Sequence, residues 1–244
     1  MTEPSETTLT GGRSTRGVMR VGNTVRRPLR ANADFVLALL QHLERVGFDA
    51  APRFLGIDEQ GREMLSFIEG AVPPDLGWYE DAQLVAAARL IRRYHDAVAG
   101  SPLVGDEEVV CHNDLSPCNA VFVNGLPIAF IDFDAATPGP HLRDLSYAVW
   151  LWLDIGNDEI NAREQSRRLR LFCVAYGERA TPEFVEAIVR RQNEVASEIA
   201  ASVDFTDKQR SAGAVWAEHC HEWTMQNRNS LSSGFDSGFP PSRE

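Results

Sequence analysis

Between residues 108 and 134 polar loops and short apolar runs alternate so tightly that few local structures can accommodate them. The runs 108–111, 120–123 and 128–131 each have the length of a short strand, and Asn124-Gly125 lies between the last two. Both residues of that dipeptide tolerate positive φ, so the pattern predicts a tight hairpin. A hairpin carries its far end back to its near end. Asn119, just before the first of its strands, and Asp132, just after the second, are therefore expected side by side. Their hard oxygen donors suit Mg²⁺, an ion that keeps most of its shell for water and substrate phosphates. Upstream, in His112-Asn113-Asp114-Leu115-Ser116-Pro117-Cys118-Asn119, Asp114 is placed to orient a hydroxyl or take its proton. An Asp/Asn-rich loop with ordinary turn chemistry would use similar residues. The pairing of two acidic loops through one hairpin favours the catalytic reading.

With 244 residues, 43 % hydrophobic and 24 % charged, the chain suits one large or two small globular domains. A net charge of −11 argues against nucleic acid as a partner. The charge is uneven, with six arginines against two glutamates in the first 30 residues. A basic first segment facing an acidic body fits phosphate on one side and a cationic or neutral acceptor on the other, although an acidic surface also serves solubility. The longest apolar stretch, 145–155, is too short and interrupted to span a bilayer, so no membrane partner is expected. Residues 1–10 lack the apolar region of a signal peptide, and a cytoplasmic location is the expectation. Cys111, Cys118, Cys173 and Cys220 form no C-x-x-C pair, which indicates neither a zinc knuckle nor a disulfide framework. Lys208 is the only lysine, so a Walker A loop cannot exist.

The spacing H-x-D-x-x-x-x-N followed by Ile131-Asp132-Phe133 resembles the catalytic and metal loops of the aminoglycoside phosphotransferase and choline kinase-like branch of the protein-kinase fold. The likeness extends over most of the chain and is specific between residues 109 and 147. It implies an α+β, bilobal protein-kinase-like fold. A small β-rich N-terminal lobe would cover 1–70, a larger, mostly helical C-terminal lobe 71–229, and a flexible tail 230–244. It also implies ATP and Mg²⁺ as cofactors and transfer of the γ-phosphoryl group to a hydroxyl of a small molecule, such as an aminoglycoside-like antibiotic, an amino alcohol or a sugar. In that scheme Asp114 positions the acceptor, Asn119 and Asp132 hold the metal, His112 braces the loop, and Asp144 supports it from behind.

The resemblance places a phosphate-contacting lysine on the third strand, paired with a glutamate on the following helix. Here Thr24-Val25-Arg26-Arg27-Pro28 occupies the strand, and Arg26 is the candidate cation. The helical stretch 34–46 has no acid at its centre, so the usual ion pair is absent or rebuilt. Gly11-Gly12 could form a shortened loop over the phosphates, or a plain hairpin turn. Ser66, Phe67 and Ile68 resemble the hinge that meets adenine, though a buried strand end reads the same way.

Strands are expected at 52–57 and 63–68, around Asp58-Glu59-Gln60-Gly61, and helices at 81–98, 163–176, 182–203 and 211–227. His95-Asp96 at the end of the first of these resembles a recurrent family dipeptide. Pro138-Gly139-Pro140-His141 marks a sharp turn. The residues of the cluster Glu218 to Glu222, with His219-Cys220-His221, cannot all chelate one ion because helix neighbours point to different faces. Trp216 and Trp223 could wall an acceptor pocket, or simply pack. Two other functions compete with phosphotransfer. One is a non-catalytic nucleotide-binding regulator, and the other a metal-dependent hydrolase using His112, Asp114, Asp132 and His141.

Overall fold

The computed structural model describes residues 6–9, 17–202, 205–233 and 235. Gly11, Gly12 and most of the expected tail lie outside the described residues. Five antiparallel strands form one sheet in the order β1-β2-β3-β5-β4: β1 Glu6–Thr8, β2 Met19–Val21, β3 Thr24–Pro28, β4 Phe54–Ile57 and β5 Arg62–Ser66. In the β4–β5 turn Asp58 accepts from the backbone N–H groups of Gln60 and Arg62, both at 2.9 Å, and Gly61 supplies φ 76°.

Helix α1 (Ala33–Arg45) connects β3 to β4 and buries Val36, Leu39, Leu40 and Leu43, one face at helical spacing. Its end is a Schellman motif. Phe48 N–H bonds to Leu43 O at 2.9 Å and Gly47 N–H to Glu44 O at 3.1 Å, with Gly47 at φ 77°. Helix α2 (Asp81–Val98) follows, and β6 (Val109–Cys111) then pairs with β9 (Thr137–Gly139). The expected hairpin forms from β7 (Ala120–Val123) and β8 (Leu126–Phe130), with Asn124 at φ 51° and Gly125 at φ 78°.

The chain divides into two compact units, residues 1–76 with 90–144, and residues 77–89 with 145–244. A boundary at residue 70 therefore does not mark where packing separates. The hairpin belongs with the sheet because backbone bonds fix it there: Ala71 and Phe122 exchange bonds of 2.9 and 2.7 Å, and Phe130 N–H bonds to Ala50 O at 2.9 Å. Gly70, at φ +153°, passes so close that a Cβ would sit 2.5 Å from Val121 Cγ1.

The second unit is helical. It holds α3 (His141–Leu153) from Leu145 onward, α4 (Ala162–Tyr176), α5 (Pro182–Ala201) and α6 (Asp207–Leu231). Asn161 and Thr181 cap α4 and α5. A capping box of Thr206 and Gln209 starts α6 earlier than the expected residue 211. Trp150, Trp152, Leu169, Phe172 and Ile188 are at most 1 % exposed and form its core. Among the described residues no helix is long and apolar enough to cross a membrane.

Candidate active site

Asp144 organises the loop that carries Asp114. Fully buried, it accepts from the backbone N–H of His112 at 2.9 Å, that of Asn113 at 2.8 Å, and His95 Nε2 at 3.0 Å. Burial pushes its carboxyl up, but the His95 hydrogen bond and charge and the His112 N–H outweigh this and hold it below the ordinary range. The charge is thus satisfied by donors that also fix the backbone.

His112 is equally buried, and both its ring nitrogens are engaged. Nδ1 accepts from Asp114 N–H at 3.3 Å, so Nε2 carries the proton it donates to Ile131 O at 3.1 Å. The ring is a strut between the loop and the strand end before Asp132. Asn113 holds the left-handed bend at φ 63°, its amide donating to Ala135 O and Thr137 Oγ1, both at 2.9 Å.

Asn119 closes the loop by donating Nδ2 to Asp114 O at 3.2 Å, which leaves its amide oxygen as the group a metal could use. Ile131 N–H bonds to Asn119 O at 2.9 Å, so the hairpin brings Asn119 beside the residue that precedes Asp132. Asp132 is left-handed, at φ 66° and ψ 61°, an unusual conformation for a side chain-bearing residue and one found at functional sites. Asp114, Asn119 and Asp132 are all half-buried.

The cation near these groups is not Arg26. Successive strand residues face opposite ways, and Arg26 points to Asp58, 3.6 Å away. Arg27 takes the other face, 6 % exposed. Its Nε donates to Glu63 Oε1 at 2.5 Å. Nη1 reaches Asp132 at 3.2 Å and Asp134 at 3.0 Å, while Nη2 reaches Asp134 at 2.6 Å. Arg30 adds a contact to Asp134 at 3.3 Å, and the Asn32 amide holds the Asp134 carbonyl. Burial raises the Asp134 and Glu63 carboxyls even against the pull of Arg27. Burial disfavours the Arg27 charge, but Asp134, Glu63 and Asp132 together reverse that and raise its pKa. The sequence alone assigns no site role to Glu63, Asp134 or Arg30. Asp134 had a visible signal, two residues past Asp132 in the same motif.

At the expected hinge, Ser66 N–H bonds to Arg53 O and Ser66 Oγ accepts from Arg53 N–H, both at 2.8 Å. Phe67 N–H bonds to Asn23 O at 2.9 Å, and its ring lies 3.7 Å beneath the Arg20 guanidinium, which also pairs with Glu69. Ile68 is half-buried. The amide donors of Ser66 and Phe67 thus tie the segment to the sheet.

The hydrolase constellation does not assemble. His141 Nδ1 and N–H both engage Glu108. Among the described residues no three His, Cys, Asp or Glu side chains are disposed to hold a metal. His219 bonds to Gly156 O at 3.1 Å and His221 to Val189 O at 3.2 Å, on different sides of α6. Burial pushes the Cys220 thiol up to about 11, which disfavours a thiolate ligand. Trp216 stacks on Trp150 at 4.8 Å and 14°.

The model of the phosphotransferase enzyme family matches residues 8–187. The chain is 31 % identical to the Trifolitoxin immunity protein of Rhizobium leguminosarum bv. trifolii, over 91 % of this chain and 95 % of that protein. Solved structures share the fold at low identity. A choline/ethanolamine kinase family protein from Mesorhizobium loti superposes with TM-score 0.60 at 14 % identity, covering 94 % of this chain and 93 % of that one. An aminoglycoside phosphotransferase from Streptomyces rimosus, in complex with ADP and streptomycin, gives 0.56 at 13 %, with 90 % and 94 % covered. A macrolide 2′-phosphotransferase from Brachybacterium faecium gives 0.57 at 12 %, with 87 % and 92 % covered. With an α+β, protein-kinase-like fold and a family match over more than half of its length, the chain belongs to the phosphotransferase enzyme family.

Proposed function

We propose that this phosphotransferase moves the γ-phosphoryl group of ATP to a hydroxyl of a small molecule. The observation that carries the reading is the loop braced by Asp144. Asp144 holds the peptide N–H groups on both sides of His112, and the hairpin then returns Asp132 to Asn119. Catalysis of phosphoryl transfer consists mostly of positioning and charge stabilisation, which such a rigid loop supplies.

Asp114 orients the acceptor hydroxyl and takes its proton as the new oxygen–phosphorus bond forms and the bond to the β-phosphate bridge oxygen breaks, releasing ADP. One amide oxygen and one carboxylate, from Asn119 and Asp132, fit Mg²⁺, which needs few protein ligands when phosphates complete its shell. Bound there, Mg²⁺ would offset charge on the phosphates. Arg27 presents a planar fork that matches phosphate oxygens as well as the carboxylates it holds in this structure.

A screen of ATP consumption and phosphorylated product tests the reading over aminoglycosides, macrolides, amino alcohols and sugars. The immunity relative and the streptomycin complex make toxic hydroxylated compounds the first panel. Product with one acceptor class supports it, and tight ATP binding without product on any panel overturns it. That second outcome belongs to a non-catalytic nucleotide-binding regulator, which one observation favours: Arg27 is engaged by Glu63, Asp132 and Asp134 at once.

A further inference from the structure

Glu63 is 2 % exposed, and the reaction described above makes no use of it. It stands directly opposite Arg27 in the β3–β5 register, where cross-strand side chains meet. Nε is the guanidinium nitrogen nearest the backbone. A carboxylate on the adjacent strand is therefore well placed to take it while the two terminal nitrogens project forward. Glu63 Oε1 does so at 2.5 Å, and Nη1 and Nη2 grip Asp134 as a fork, with Nη1 shared to Asp132. A lysine ends in one compact ammonium and cannot divide itself between a rear anchor and a forward fork. An arginine on β3 thus calls for an acid beside the strand. Helix α1 matches that demand by carrying acids only near its ends, Asp34 and Glu44.

We propose that Glu63 is a positioning residue of the nucleotide site. It anchors the Nε edge of Arg27 so that Nη1 and Nη2 remain turned toward the place where phosphate oxygens would replace the Asp132 and Asp134 carboxylates. The role rests on the ATP-dependent reading above and acts entirely through Arg27. Without the Glu63 charge, the Nε edge is released and Asp132 and Asp134, which hold Nη1 and Nη2 in this structure, draw the head group unopposed, so it competes with the metal and withdraws from phosphate.

The test is calorimetric titration with Mg²⁺ and a non-hydrolysable ATP analogue, with melting curves to verify folding. Glu63→Gln keeps the shape and one acceptor oxygen, and should weaken binding by about 5–30-fold, the scale of one coupled buried pair. It should also move half-saturating Mg²⁺ upward. In an Arg27→Met background the same change should do nothing further to nucleotide affinity, and in Arg27→Lys less than about two-fold, within ordinary additivity error. Glu63→Asp retracts the charge without removing it and should fall between Glu63→Gln and wild type, which keeps the test open if the glutamine variant fails to fold. A loss from Glu63→Gln as large in the Arg27→Met background as in the wild type, or an unchanged affinity in Glu63→Gln, would overturn the role and leave the ATP reading standing. A wild-type protein that binds no nucleotide removes the ATP reading itself, and the role of Glu63 with it.

Discussion

The Asp144 carboxylate and the His95 ring meet at 3.0 Å in an interior where neither side chain is more than 3 % exposed. One acid from the first turn of α3 thereby secures both a helix end and two peptide groups of the loop that carries Asp114. Asp144→Ala would leave the His112 and Asn113 N–H groups without their acceptor. It should lower stability by ~3 kcal/mol or more, as loss of one partner from a buried charged network does. Chemical denaturation measures this, and a loss under about 1 kcal/mol would mean that water replaces the carboxylate.

The same residue sets a pH dependence. Its carboxyl lies below the ordinary range in the folded chain, so its contribution is complete above the unfolded value of about 3.9 and disappears as pH falls through the lower folded value. Stability of the wild type should therefore fall below about pH 4, and Asp144→Asn should flatten that limb. An identical acid limb in both proteins would assign it to other carboxylates.

Asp114 and Asp132 should fail differently. Asp114→Ala is expected to keep Mg²⁺–ATP affinity and lose about 10²–10⁴-fold in turnover, the range for a missing general base. Asp132→Ala should lose affinity and turnover together. Calorimetry beside a phosphotransfer assay separates them, and equal loss of affinity would move Asp114 among the metal ligands.

Arg26 and Arg27 give a second contrast. Arg27→Ala should reduce nucleotide affinity at least about tenfold, as expected for a charge-assisted fork, whereas Arg26→Ala should change it less than about two-fold. Reversal of that order would return the phosphate contact to Arg26.

Mg²⁺ with ATP should raise the melting temperature more than either alone, since the protein supplies few metal ligands of its own. At a hundredfold excess over Kd the gain is about 2.7 kcal/mol. A larger shift with Zn²⁺ alone would revive the hydrolase.

Gly156, at φ +110°, runs against α6 so closely that a Cβ would lie 2.7 Å from Cys220 Cα. Gly156→Ala should cost about 2 kcal/mol or more, from overpacking and backbone strain together. Equilibrium unfolding reads the loss, and a neutral substitution would show that this part of the second unit relaxes freely.

The hairpin was legible in sequence because Asn124-Gly125 is itself the device that makes it, and α1 because apolar residues such as Leu39, Leu40 and Leu43 recur along it, although Val36 and not Phe35 or Val46 completes its buried face. Strand β9 was read as a turn. Pro138 cannot donate to a ladder, yet a strand with one neighbour tolerates it, and Pro138 pairs with Val110. The sequence does not separate Arg26 from Arg27, because it fixes neither which face of β3 meets the loop nor which strand lies beside it. That parity depends on the β3–β5 register, set by residues almost forty positions apart. Glu63 was hidden for the same reason.

The Arg27–Glu63 pair lies on one continuous ladder of backbone bonds. It has the stiffness of a sheet and not the swing of a helix. In a charge pair built between strand and helix, outward displacement of the helix is a switch. Here the same movement of α1 leaves acid and cation together, and a compound that pries that helix away would find no bond of this pair to break.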